Sequence, residues 1–313
     1  MLRYTLKRLL ATIPVMGVVA LLVFSLLYIS PGDPAAVIAG DIATEADIAR
    51  IRAQLGLDQP YFTRFGTWLL ALAHGDLGTS IFTGLPVTTL IGQRVEPTAA
   101  LTICTLIVAI GLAVPLGVLA AARAGGWLDR IVMGLSVLGF SVPVFVIAYG
   151  LILLFSIRLD WLPVQGYQSI REGFGPFISH MVLPSVALGL VYMALIARIT
   201  RASMLDVLAQ DYVRTANAKG LAPGAVLTRH ALKNAAVPIV TIIGIGVALL
   251  IGGVVVTETV FAIPGIGRLT VDAILRRDYP IIQGVTLLFS ALYVIVNLLV
   301  DLSYSLFDPR IRY

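Results

Sequence analysis

The residues of this chain with chemistry to offer are few and scattered. His74, His180 and His230 stand far apart, with no Cys, His or carboxylate beside them at metal-ligand spacing, so no metal site is expected. Cys104 is the single cysteine and lies within an apolar run, which excludes an intrachain disulfide. Ser141, in Gly139-Phe140-Ser141, lacks a Gly-x-Ser-x-Gly elbow, and pairing it with His180 as a hydrolase base finds no support in the spacing. An enzyme is not expected. No Gly-x-x-x-x-Gly-Lys-Ser/Thr stretch occurs, so the chain does not bind ATP in the P-loop manner. Asn297 and Asp301 lie one helical turn apart near the end of the last apolar run, close enough to Asp308-Pro309-Arg310 for Asp301 to reach the interface or pair with Arg310. Ser25, Thr102, Thr105, Ser136, Ser141, Ser185, Tyr192 and Thr241 are polar groups inside apolar runs. Hydroxyls there mostly bond their own helix backbone. The alternative is that they line a pathway, for which Thr102, Ser136, Ser141, Ser185 and Tyr192 are the candidates.

The elements that hold these groups follow from composition. Of 313 residues 58% are hydrophobic and only 12% charged, the mean hydropathy is +0.96, and soluble domains are about a quarter charged. A lipid bilayer is the expected solvent. The 29 Gly and 16 Pro sit inside apolar runs, as kinks and close helix contacts do. A net charge of +5 comes with no Lys/Arg cluster interleaved with aromatics, so nucleic acid is not an expected partner. Runs long enough to cross the hydrocarbon core fall at residues 9–29, 98–122, 131–157, 181–199, 237–256 and 285–307. The first follows Arg3, Lys7 and Arg8 as a signal peptide would, but it is too long for one and ends in Pro31-Gly32-Asp33-Pro34, so it is expected to stay attached.

Basic residues set the orientation. Arg3, Lys7, Arg8, Arg123, Arg130, Arg198, Arg201, Arg214, Lys219, Arg229, Lys233, Arg310 and Arg312 collect on one side, against Arg158, Arg171, Arg268, Arg276 and Arg277 on the other. Both termini and residues 200–236 are therefore expected in the cytoplasm, and residues 31–97 outside. Within that external segment Thr44-Glu45-Ala46-Asp47 begins a helix that Gly56 stops. Phe62, Phe65, Leu69 and Leu72 fall along one face of a second helix, with Arg64 and Thr67 elsewhere, resting on the membrane or on the spans. Between the last two spans Glu258, Phe261, Pro264 and Gly265 read either as a simple return or as part of an external gate.

Residues 201–236 combine helix formers with Gly220 and Pro223, which predicts helix, turn and helix: Gly220 suits a left-handed C-terminal position and Pro223 a first helical turn. Two short helices would meet there at an angle. Pattern alone leaves an ordinary amphipathic connector equally open. The residues themselves are more specific. Asp211-Tyr212-Val213-Arg214-Thr215-Ala216-Asn217-Ala218-Lys219-Gly220-Leu221, followed by His230-Ala231-Leu232-Lys233-Asn234-Ala235-Ala236-Val237-Pro238, resembles the coupling loop of ABC importer permeases in its peptide/nickel form. The general pattern has Glu-Ala-Ala where this chain has Arg214, Thr215 and Ala216, and a shorter Gly-to-Pro separation. Both departures are similar to the peptide/nickel subfamily. The resemblance runs in order through Ser30-Pro31-Gly32-Asp33-Pro34, Gln54-Leu55-Gly56-Leu57-Asp58-Gln59-Pro60, Gly75-Asp76-Leu77-Gly78, Pro115-Leu116-Gly117-Val118, Asn297-Leu298-Leu299-Val300-Asp301 and Asp308-Pro309-Arg310-Ile311-Arg312-Tyr313.

That resemblance implies an all-α integral membrane protein with six transmembrane helices, a single permease domain over residues 1–313 with a helix-turn-helix coupling loop. It implies ATPase contacts through Arg214, Thr215, Ala216, Asn217, Lys219, Gly220, His230 and Asn234. It also implies a second permease, two ATP-binding subunits that use ATP and Mg in this chain's stead, and an extracytoplasmic solute-binding protein, in the cell (inner) membrane. Dipeptides or oligopeptides are the implied cargo, with glutathione or chelated nickel as alternatives. A secondary transporter without an ATPase would instead show inverted repeats and midplane carboxylates. Neither is apparent.

Overall fold

The computed structural model describes residues 2–29, 33–40 and 43–307. Within them the backbone is helical apart from turns, irregular loops such as residues 159–169, and a bridge between Thr79 and Pro86. Five helices are long and apolar enough to cross a membrane: Leu10–Ile29, Val87–Ala122, Phe174–Leu208, Pro223–Val260 and Tyr279–Ser303. They match five of the six expected runs, and the four after the first begin earlier than the apolar stretch read from the sequence. The sixth differs. Residues 131–157 read as one span, but α6 (Trp127–Ser141) and α7 (Val144–Leu151), which continues as wider π turns over Ile152–Arg158, are bent from each other by 105°. Pro143 is the local cause: it disfavours helical backbone at the residue before it, and Val142 is extended at φ −90°, ψ 125°.

Contacts gather the chain into two units. The first comprises residues 1–95 and 268–294. In it α1 (Leu2–Ile29) packs against α4 (Tyr61–Ala73) through Val23, Ala20, Trp68 and Leu72. Phe24, 1% exposed, has the rings of Tyr28, Tyr61, Phe65 and Trp68 at centroid distances of 5.2 to 5.8 Å. The packed face of α4 is therefore Tyr61, Phe65, Trp68 and Leu72, not the expected line through Phe62 and Leu69. Phe62 is 82% exposed, while Arg64 lies over the Phe24 ring. The neighbouring α3 (Glu45–Gln54) forms as read: Thr44 Oγ1 accepts from the Asp47 amide, while the Thr44 hydroxyl at 2.7 Å and the Thr44 amide at 3.2 Å both donate to the Asp47 carboxylate and hold it below the usual range. Gly56, at φ +62°, closes it, with Gly56 N–H donating to Ala53 and Leu57 N–H to Arg52.

The second unit, residues 96–267 and 295–313, carries the main helix packing. Its centre is α8 (Phe174–Leu208), whose most apolar stretch is 61% buried. In a bilayer lipid is as apolar as leucine, so helices associate where small residues let backbones approach. A Cβ at Gly117 of α5 (Val87–Ala122) would stand 2.7 Å from Thr200 Cβ and 2.8 Å from the Ala197 carbonyl. Gly189 meets Val108 in the same way at 3.0 Å, and Ala109, Ala113, Ala187 and Ala197 fill the same core. Of the kinks and close contacts expected of the glycines, Gly117 and Gly189 serve the close contacts, whereas others, such as Gly111 and Gly134, have open space around them.

Candidate functional site

The polar segment between the fourth and fifth long helices is shorter than the sequence suggests. Arg201 to Leu208 still belong to α8; after Ala209 and Gln210 comes α9 (Asp211–Ala218). Its end is the turn foreseen for Gly220. The backbone there is left-handed at φ +76°, Gly220 N–H donates to Asn217 at 2.9 Å, and Leu221 N–H reaches Ala216 at 3.4 Å. Pro223 then opens α10 (Pro223–Ala225). The second helix is not short, however. It runs without a break through π-wound Val226–Leu232 into α11 (Lys233–Val260), as one helix of 38 residues.

Two apolar residues fix α9. Val213 and Ala216 are buried against Val226, Val207 and Leu208. Ala216 thus packs inward, away from the outer face that Arg214, Thr215, Asn217, Lys219 and Gly220 share in solvent. Arg214 pairs with Asp211 at 3.2 Å with both side chains largely exposed, a contact of little energetic weight. His230 is half-buried and Asn234 is exposed, with the Asn234 amide donating to the His230 carbonyl at 2.6 Å. Both stand on the long second helix, so they are held by α11 and not by the turn.

A buried ion pair lies next to this segment, and sequence reading missed it. Asp129, 4% exposed, accepts from Arg201 Nε at 2.5 Å and from its Nη2 at 2.7 Å, and takes a third bond from Gly125 N–H at 2.8 Å. The bidentate fork joins the first turn of α6 to α8 two turns before the end of α8. The partners are 72 residues apart, which leaves no local signal.

The candidate pathway hydroxyls divide. Thr102, Ser136 and Ser141 each donate to the carbonyl four residues earlier at 2.8 Å. Ser185 is 2% exposed, and among the described residues its hydroxyl has no oxygen or nitrogen partner; Tyr192 is 7% exposed and packs on Gly246 and Gly253. Ser136 and Ser141 line one small pocket of about 130 Å³ together with Phe140 and Arg198.

Glu258 is not in a loop but in the last turn of α11, and it is wholly buried. Thr98 donates to its Oε1 at 2.6 Å and accepts from Ile266 N–H at 2.8 Å. A Cβ at Gly265 would overlap the Glu258 carboxylate, so any larger residue there has to displace it. Phe261 is buried, and its carbonyl accepts from Gly166 N–H at 2.9 Å. The loop that Pro264 turns is thus folded around a carboxylate. Nearby, Tyr167 donates to Glu96 at 3.0 Å, and burial together with that carboxylate pushes its phenol up to about 12. The Asp301–Arg310 contact foreseen from sequence lies partly outside the described residues.

Comparison with known proteins places this architecture. Residues 113–313 match the family model of the binding-protein-dependent transport system inner membrane component, and residues 1–102 match that of its N-terminal part. A probable peptide ABC transporter permease protein, y4tP, of Sinorhizobium fredii is 57% identical over 99% of both chains. The glutathione transport system permease protein GsiC of Salmonella choleraesuis is 44% identical, and the dipeptide transport system permease protein DppB of Alkalihalophilus pseudofirmus 41%, each over 100% of both chains. Among solved structures, an inward-facing MetNI methionine ABC transporter superposes with a TM-score of 0.59, covering 71% of this chain and 97% of that one at 18% identity. That last likeness is one of fold.

Proposed function

The chain belongs to the family of binding-protein-dependent transport system inner membrane components, and on that premise we propose that it is a membrane-spanning subunit of an ATP-driven importer of short peptides. The relatives' printed substrates, peptide, dipeptide and glutathione, share a small backbone-rich skeleton, which is the support for that cargo class. With no phosphate loop in the sequence, the energy comes from separate ATP-binding subunits, which use ATP and Mg. A second permease completes the pathway, and an extracytoplasmic binding protein delivers the peptide. The segregation of basic residues puts α9 and both termini in the cytoplasm of a cell whose inner membrane holds the complex.

The observation that carries the reading is α9: an eight-residue helix with a polar, exposed face, anchored by Val213 and Ala216 and closed by the Gly220 turn. Such a knob is a contact for a partner, not a part of the membrane core. We assign the partner as the ATP-binding subunit, touched by Arg214, Thr215, Asn217, Lys219 and Gly220. Ala216 acts by holding the helix, and His230 and Asn234 act from the adjoining helix. Ser136, Ser141, Ser185, Tyr192 and Thr102 stand as pathway positions, and Glu258, Phe261, Pro264 and Gly265 as an outer gate. Reconstitution into proteoliposomes tests the assignment. Peptide uptake should require the partner permease, the ATP-binding subunits and ATP; uptake by this chain alone, driven by an ion gradient, would overturn it.

A further inference from the structure

Within the first unit, α1, α4, the turn around Gly78–Gly84 and the start of α13 (Tyr279–Phe307) enclose a cavity of about 530 Å³. Arg64 stands in its wall. Its guanidinium carbon lies 5.0 Å from the Phe24 ring centroid and 5.4 Å from that of Tyr28, and its Nη1 donates to the Tyr28 hydroxyl at 2.9 Å. Stacking on ring faces orients the planar fork while leaving most of its in-plane donors unused. Arg52 and Arg201 each meet an aspartate at 2.5 Å, whereas Arg64 has no carboxylate within ion-pair reach among the described residues. Gln283, 7% exposed, lines the same cavity. Its one hydrogen bond among the described residues is a long one, 3.4 Å to the Val23 carbonyl. By contrast Ser80 on the same wall is satisfied, donating to Asp278 at 2.6 Å and accepting from Thr83 N–H. Trp68 and Tyr279 supply apolar wall.

We propose that this cavity is a binding site for the carboxylate of a dipeptide-sized ligand. An oriented guanidinium without a counter-ion calls for a planar anion that its fork can hold in two parallel bonds. The nearly buried, under-used amide of Gln283 calls for a second polar group on the same ligand, and the aromatic walls for a side chain. The volume lies within the range of small-molecule sites, about 300 to 1,000 Å³, and suits two residues better than a long peptide. Only the choice of a peptide as carrier of the carboxylate rests on the proposed function. A phospholipid phosphate is the other source of an anion at this depth, since Tyr28, which Arg64 bonds, lies at the end of a span, and the test separates the two.

Replacing Trp127 and Trp161 by Phe leaves Trp68 as the single tryptophan of the full chain. In phosphatidylcholine nanodiscs, dialanine should change Trp68 fluorescence saturably. Dialanine amide, which lacks the carboxylate, should bind roughly tenfold or more weakly to the unaltered site, and Arg64→Gln should weaken dialanine by a similar factor. Arg64→Lys, keeping the charge without the fork, should fall between. The proposal is overturned if dialanine gives no response, if the amide binds as well, or if phosphatidylglycerol in the disc produces the same Trp68 change and abolishes the dialanine response. ATP-driven peptide uptake by the assembled complex would persist in each of those cases, so the proposed function would stand while this site fell.

Discussion

Substituting valine for Gly220 places a β-branched residue at φ +76°, where an L side chain crowds its own backbone. No other atom lies within 4 Å of the position a Cβ would take, so the whole cost is conformational, about 1 to 2 kcal/mol. Burial of Val213 and Ala216 against Val226 contributes stability of the same order, roughly 2 to 3 kcal/mol. The helix α9 therefore survives, but its C-terminal turn opens in a population raised roughly 5- to 30-fold. Coupling between sites is itself worth about 1 to 3 kcal/mol, so this shift is large enough to disconnect ATP hydrolysis from transport. The assay is peptide-stimulated ATPase activity and uptake by the purified complex in proteoliposomes. Gly220→Val should assemble normally and lose both, while Gly220→Asn, which tolerates the left-handed region, should keep most of each. Wild-type coupling in the valine variant would refute the argument. So would equal damage from asparagine, because the contact surface and not the backbone would then be what glycine serves.

Arg201→Met leaves Asp129 buried with the Gly125 amide as its remaining hydrogen-bond partner among the described residues, which should cost about 3 kcal/mol and lower the thermal midpoint in detergent; Asp129→Leu combined with Arg201→Met should recover much of it. Gly117→Val should cost about 1 to 3 kcal/mol by forcing α5 from Thr200 and Ala197, whereas Gly111→Ala, with open space around it, should leave the midpoint unchanged. Gly265→Ala should displace the Glu258 carboxylate and break its bond from Thr98, seen as faster proteolysis of residues 261–267; an unchanged cleavage rate would remove Glu258 from that role. In a Cys104→Ala background, a membrane-impermeant maleimide added to intact cells should label Phe62→Cys, whose side chain is 82% exposed, and spare Ala222→Cys. Labelling at 222 would reverse the topology.

Some of this molecule was legible from the chain alone, because the physics involved is local. Apolar length located five of the long helices, since each must satisfy its own backbone hydrogen bonds within a run of neighbouring residues. The left-handed Gly220 and Gly56, Pro223 in a first turn and the Thr44–Asp47 cap follow from stereochemistry over four to six consecutive residues. Tertiary structure decided the rest. The α6–α7 bend hides in an unbroken apolar run, because Pro143 is only one of several prolines and those at 97, 115, 184 and 238 lie inside continuous helices. On α4 periodicity showed that an apolar face exists, but only the Phe24 ring determined that Trp68 and Arg64 belong to it and Phe62 does not. The inward turn of Ala216, the pairing of Arg201 with Asp129 and the burial of Glu258 each depend on a neighbour brought near by folding. A sequence records which groups need partners, and only the packed helices determine which partners they get.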